Sequence, residues 1–387
     1  MESCRHAGYR RSTHKAAGLN AESSSALPNP ALKHIDVNGV ELAYVEKGEG
    51  EPVVLVHGLI SDYRAWDRQI DELAKRYRVI AYSRRYHYPN PWMGDASDYS
   101  VDLHVRDLAA LIRALDFGPV HLIGHSYGGR VATLVAISHP ELVRTLVVAE
   151  TGFVSLLKPG PEWKQAIAAQ KKEYEVASRA QQTAGPEEAL RAFFESGRGA
   201  GSFDKLPIED RQRLLDNART LVPARKEDIA EEDFTCADAQ RIKAPVMWVQ
   251  SELGARVMHL VGDELAKCLP QIERVTIPNA RHAMMRDNPA AFNQAVLAFL
   301  QKHSISAAQA TRTNSAQPGN IPRSIGPEDA NHAQDEAAIR RIIANGDEAW
   351  NHHDAKALLA HLTNSSDHIN VAGKLEFRKR SGLKTNM

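Results

Sequence analysis

The chain has 387 residues, 43% of them hydrophobic, with 48 basic and 48 acidic side chains and a formal net charge of zero. That size accommodates one large domain and a smaller unit. The charge balance excludes a surface built for nucleic acid or membrane, since the one dense basic cluster, Arg378-Lys379-Arg380, lies near the end of the chain and reads as a solvated tail.

Cys4, Cys236 and Cys268 are an odd number at wide spacings, implying neither a disulfide framework nor a zinc site and pointing to a reducing compartment. No run reaches the length of a membrane span, and residues 1–17 carry charges where a signal peptide needs an apolar core. A cytoplasmic protein is therefore expected, with an organelle transit peptide in the basic, Ser-containing first thirty residues as the alternative.

Residues 1–30 lack periodicity and end in Ser23-Ser24-Ser25 and Pro28-Asn29-Pro30, the composition of a disordered leader. Residues 32–37 and 41–45 predict two strands joined at Asn38-Gly39, a hairpin turn signal. Residues 52–56 form a continuous apolar run of the kind buried in a parallel sheet, ended by His57-Gly58. A helix at 64–75, a strand at 78–82 and a helix at 101–115 with Ser100 as N-cap follow. Next come a strand at 120–123, a helix at 130–138 and a strand at 143–149. Residues 151–239 are helical and polar, an insertion over one end of the sheet. Strands at 245–249 and 273–277 then alternate with helices at 257–268 and 289–302. This alternation predicts an α/β fold with a mostly parallel sheet, helices on both faces and ligands at the carboxyl ends of the strands.

Gly124-His125-Ser126-Tyr127-Gly128 sits between a strand and a helix, the context that makes the pattern a nucleophile elbow. A sharp turn lifts the Ser126 hydroxyl clear of the sheet, and glycines on both sides tolerate the close neighbours of such a turn. A Ser hydroxyl is a poor nucleophile until a base takes its proton. His282, in the loop between the last strand and the last helix, is the expected base; His125, inside the elbow, is expected to pack or line the pocket. Attack creates an oxyanion that needs preorganised N–H donors, for which the backbone N–H groups of Tyr127 and of Leu59, after His57-Gly58, are the candidates.

The motifs Val56-His57-Gly58-Leu59, Gly124-His125-Ser126-Tyr127-Gly128-Gly129 and Ala280-Arg281-His282 together resemble those of the α/β-hydrolase superfamily over residues 32–303. The resemblance implies an eight-stranded sheet with a helical cap between strands six and seven, matching the insertion. It also implies a triad acid, usually an Asp after strand seven. Gln250-Ser251-Glu252-Leu253-Gly254 offers none, with Leu253 in its place. Some members carry a carboxylate after strand six, where Glu150 stands, so Glu150 is the expected acid and Glu252 the competitor. The family's Asp-Arg-Gly-type loop is replaced by Ser83-Arg84-Arg85-Tyr86-His87-Tyr88-Pro89. Its arginines are expected to be solvated, or else to attract an acidic substrate.

From residue 304 to 333 the composition is that of a linker. Residues 335–350 and 355–362 predict two helices that resemble the opening of SnoaL-like, NTF2-fold domains, leaving 334–387 as a partial segment. The expectation is a capped serine hydrolase, residues 31–303 with the cap at 151–239, acting on a small-molecule ester or related acyl substrate without metal or organic cofactor. A C–C bond hydrolase or haloperoxidase-like perhydrolase is the alternative enzyme, and a ligand-binding module with a disabled triad the alternative of another class. Ser at the elbow, where an Asp is needed, argues against epoxide hydrolysis or haloalkane dehalogenation. Substrate-binding residues and oligomeric state are not legible.

Overall fold

The computed structural model describes residues 31–229 and 234–304, together with two paired two-residue strands, His368–Ile369 and Leu375–Glu376. The chain divides into two units, Met1–Ile305 and Ser306–Met387, and the three α/β-hydrolase-like motifs belong to the first. The expected leader, the linker from residue 305 onward and the two helices of the SnoaL-like segment lie outside the described residues.

Eight strands build one sheet: β1 (Lys33–Val37), β2 (Val40–Lys47), β3 (Pro52–Val56), β4 (Arg78–Tyr82), β5 (Val120–His125), β6 (Val143–Ala149), β7 (Val246–Ser251) and β8 (Glu273–Ile277). They lie in the order β1-β2-β4-β3-β5-β6-β7-β8. β1, β2 and β4 pair antiparallel and the remaining neighbours parallel. At the hairpin between β1 and β2, Asn38 and Gly39 both take positive φ, 47° and 72°, as a tight two-residue turn requires.

Alternation along the strands divides the core in two. Val54, Val56, Leu122 and Val148 face α2 (Val101–Ala114), α3 (Tyr127–Ser138) and α9 (Arg256–Cys268). Their neighbours Val53, Leu55, Ile123 and Val147 face α1 (Asp67–Leu73), α10 (Met284–Asp287) and α11 (Pro289–Lys302). Strands covered on both faces need apolar side chains at every position, which is why β3 reads as an unbroken apolar run. Between β6 and β7 rise the cap helices α4 (Pro161–Ala184), α5 (Pro186–Arg198), α6 (Ile208–Asp216) and α7 (Leu221–Ile229), followed by the short α8 (Cys236–Ala239). The cap has its own apolar cluster of Ala177, Leu190, Phe194, Phe203 and Leu221, into which the base contributes Ile60. No helix among the described residues is long and apolar enough to cross a membrane.

Local chemistry corrects three expectations. The helix expected at 64–75 starts as a 3₁₀ turn, Tyr63–Trp66, because the Asp62 carboxylate caps the Arg64 N–H and tightens the first turn. The helix expected from residue 130 starts at Tyr127, directly on the elbow. Cys236 and Cys268 form a disulfide with Cα atoms 5.0 Å apart, where none was expected. Packing of α8 on α9 closes a separation of 32 residues, which a reading of spacings alone does not reveal.

Candidate active site

A single residue, Ser126, turns the chain from β5 into α3. Its backbone sits at φ 53°, ψ −124°, a strained conformation for a residue with a Cβ. Hydrogen bonds to both of its backbone polar groups hold it there. The Ser126 N–H donates to the Ala149 carbonyl at 2.9 Å, and the Ser126 carbonyl accepts from the Gly129 N–H at 2.8 Å and the Thr151 hydroxyl at 2.7 Å. Gly128 is required by close approach: a Cβ there would lie 2.3 Å and 2.4 Å from the carbonyl oxygens of Val56 and His57.

Glu150 follows β6, the strand beside the elbow strand, and is fully buried. Its Oε2 lies 2.8 Å from Nδ1 of His282, on the loop between β8 and α10. Its Oε1 accepts from the Ser251 N–H at 2.7 Å and the Ser251 hydroxyl at 2.5 Å. Burial pushes the Glu150 carboxyl up, but the bonds from His282 and Ser251 outweigh it and hold the group below its ordinary range. An ionised carboxylate only accepts, so the hydrogen of the 2.8 Å bond sits on Nδ1 of His282 and leaves the Nε2 lone pair on the other side of the ring. Glu252 points elsewhere: its carboxylate accepts from the Asn279 N–H at 2.7 Å, and Leu253 is exposed.

His125 is buried, and its Nε2 lies 2.8 Å from the His282 carbonyl, pinning the loop of one residue to the elbow of the other. Burial pushes its imidazole down to about 3, so it is neutral and donates this bond. The two rings stand 4.7 Å apart. A Cβ on Gly58 would come within 3.5 Å of the Ser126 Cβ, which places the Gly58–Leu59 peptide alongside the nucleophile candidate. Leu59 and Tyr127 thus flank Ser126 from two different elements. Glu150, His282, Ser126, Leu59 and Tyr127, spread over more than two hundred residues of sequence, converge on the carboxyl ends of β3, β5 and β6.

The two arginines of the Ser83–Pro89 loop are not solvated. Arg85 is buried and bridges both oxygens of Asp107, at 2.8 Å and 2.9 Å, tying the loop to α2. Arg84 lies buried beneath the Gly58–Leu59 peptide, its Nη2 2.8 Å from the Gly58 carbonyl. Ser251 and Arg84 are the two residues of this neighbourhood whose positions the sequence did not reveal. Among the described residues no group of three or more His, Cys, Asp or Glu side chains is placed to hold a metal ion.

A family model described as "alpha/beta hydrolase fold" matches residues 51–289. The chain belongs to the α/β-hydrolase fold family. The (E)-2-((N-methylformamido)methylene)succinate hydrolase of Acinetobacter baylyi is 36% identical over 109 residues, 27% of this chain and 39% of that protein. The 2-(acetamidomethylene)succinate hydrolase of Mesorhizobium japonicum is 25% identical over 281 residues, 69% of this chain and 94% of that protein. Among solved structures, a thermophilic esterase from Thermogutta terrifontis superposes with a TM-score of 0.57 at 24% identity, covering 71% of this chain and all of the esterase. The names of these relatives are those of hydrolases, and the superposition on the esterase shows a shared fold.

Proposed function

We propose that this protein is a serine hydrolase that cleaves a carboxylic ester or related acyl compound through an acyl-enzyme on Ser126. The observation that carries this reading is the 2.8 Å contact between His282 Nδ1 and the buried Glu150 carboxylate beside a strained Ser126. With Nδ1 committed to Glu150, Nε2 of His282 is the nitrogen that takes the Ser126 proton as Oγ bonds to the substrate carbonyl carbon. The carbonyl π pair moves onto oxygen, where the Leu59 and Tyr127 N–H groups receive the charge. Collapse expels the alcohol, which leaves with the proton from His282, and water repeats the sequence to release the acid. Glu150 fixes the ring and stabilises the imidazolium without taking a proton.

The decisive experiment is labelling with a fluorophosphonate probe. The natural chain takes one label, on Ser126, and hydrolyses one or more members of a panel of p-nitrophenyl esters of graded acyl length. Ser126→Ala loses the label and His282→Ala lowers turnover by several orders of magnitude, because the two act as one unit. Full labelling of Ser126→Ala overturns the assignment. A chain that binds the esters without turnover or labelling is instead a ligand-binding relative with a disabled triad.

A further inference from the structure

Arg84 is 1% exposed, and its partners among the described residues are backbone carbonyls, a phenol and an aromatic ring rather than a carboxylate. Its Nη2 donates to the Gly58 carbonyl at 2.8 Å and lies 3.5 Å from that of Leu59. Its guanidinium carbon stands 4.6 Å from the centre of the Tyr127 ring. Its Nε has no hydrogen-bond partner among the described residues. A buried guanidinium without a counter-charge is costly. Sequence position alone does not explain why one stands here, yet it touches both residues whose N–H groups flank Ser126.

The Gly58–Leu59 peptide explains the placement. A planar trans peptide directs its C=O and its N–H to opposite sides, so fixing one fixes the other. The Gly58 carbonyl is held from below by two donors. Arg84 is one and His57 the other, with Nδ1 of His57 2.9 Å from the same oxygen. The His57 tautomer follows from its second bond: Nε2 faces the Arg84 backbone N–H at 2.9 Å, which can only donate, so the ring hydrogen sits on Nδ1. The carbonyl is therefore locked toward the interior and the Leu59 N–H is turned away from it. A guanidinium bound to a carbonyl oxygen also draws electron density from the amide nitrogen, which makes the N–H a stronger donor.

We infer that Arg84 is a positioning residue for the oxyanion site, holding the Gly58 carbonyl so that the Leu59 N–H faces the oxygen of a substrate attacked by Ser126. The inference rests on the serine-hydrolase reading and adds a residue to it. Arg84 touches no substrate; it acts through the peptide, and its effect appears where negative charge develops rather than where substrate is first bound.

The test uses the full chain, p-nitrophenyl acetate as substrate and 1,1,1-trifluoroacetone as a probe of the tetrahedral state. Ser126 Oγ adds to the ketone carbon, the π pair moves to the oxygen, and the hydroxyl proton passes to His282. Arg84→Met is expected to lower kcat about ten- to hundredfold, short of the roughly 10²–10³ that removal of a whole oxyanion donor costs. KM stays within about threefold, and the ketone binds more weakly by the factor lost in kcat/KM. Arg84→Lys, which keeps the charge but not the planar fork, falls between the two. All rates are taken per site titrated with fluorophosphonate.

A folded Arg84→Met chain with natural kcat per titrated site and natural ketone affinity overturns the inference, since only the number of working sites then depends on Arg84. If Arg84→Met does not fold, Arg84→Lys is read through the ratio of ketone to substrate affinity, and an unchanged ratio overturns it equally. Ser126→Ala, run in parallel, separates the two levels. Its loss of labelling beside an unaffected Arg84→Met removes the Arg84 role alone, whereas activity surviving in Ser126→Ala, or a natural chain that neither labels nor hydrolyses, removes the underlying reading as well.

Discussion

Ser126 and Glu150 stand at the same point of neighbouring strands, each the first residue past its strand and each turned out of the sheet with positive φ, 53° and 42°. One backbone bond, from Ser126 N–H to the carbonyl preceding Glu150, joins the two turns. The distance between Ser126 and Glu150, the proposed nucleophile and acid, is thus set by the sheet and not by a flexible loop.

Glu150→Gln is expected to lower turnover about a thousandfold or more while leaving the fold intact, as happens when a triad acid becomes an amide. Glu252→Gln, whose carboxylate serves the Asn279 N–H at the surface, changes turnover by less than about threefold. Steady-state kinetics on the two variants decide the matter, and the reverse order moves the acid to the end of β7.

Ser251 supplies two of the hydrogen bonds on Glu150. Ser251→Ala removes the hydroxyl and keeps the N–H, so turnover falls on the order of tenfold, the worth of one bond to a charged group. Gly254→Ala is expected to do more harm. Its Cβ would lie 2.3 Å from the Ser251 hydroxyl oxygen and 2.7 Å from Glu150 Oε1, displacing the carboxylate from His282. Equal activity in Gly254→Ala and the natural chain contradicts the packing described for that corner.

Acid should unfold the protein early. Burial pushes the imidazoles of His57, His87, His104 and His125 below their ordinary value of 6.5, so the folded chain holds them neutral where the unfolded chain binds a proton at each. Stability is therefore full above pH 6.5 and falls as pH drops below it, by about 1.4 kcal/mol per pH unit for each group and about 5.5 kcal/mol per pH unit for the four together. For a domain of ordinary stability, roughly 5–15 kcal/mol, unfolding is then expected at about pH 4–5.5. His104→Phe removes one of the four, and both His104 nitrogens lack a hydrogen-bond partner among the described residues. It should stabilise the protein more at pH 5.5 than at pH 7.5. Circular dichroism and urea titrations at those two pH values read both effects, and a native spectrum at pH 3.5 contradicts them.

The Cys236–Cys268 link closes a loop of 32 residues from the end of the cap to α9. Reduction, or Cys236→Ser, should lower stability by about 2–4 kcal/mol. Mass spectrometry of a non-reducing digest, showing the two cysteines in one cross-linked peptide pair, checks the link itself.

What the sequence displays is governed by reach. β3, β4 and β6 are legible because strands covered on both faces carry apolar runs, and the elbow is legible because its glycines sit within a few residues of Ser126. Glu150 could be placed at a strand end, but its choice over Glu252 depends on Ser251 and His282, 101 and 132 residues away. The apolar signal of β7 fades at Val249, whereas its backbone pairing runs on to Ser251. Arg84 and Arg85 mislead for the same reason: charge suggests solvent, and the groups that make burial tolerable lie 26 and 22 residues off. The cysteine pair is hidden likewise, by a contact between two helices.

Ile60 belongs to the cap's apolar cluster although it is encoded in the base, one residue past Leu59. Asp62, two residues further on, is bonded to Asn217 of the cap at 2.6 Å, and Arg64 bridges Asp62 to Asp216. The cap is therefore not an interchangeable module. Grafting one from a relative onto this base would leave a hole where Ile60 inserts and leave Asp62 without its bond from Asn217. Diversification of what this scaffold accepts must proceed by paired changes, in the cap and in the short segment after β3 together.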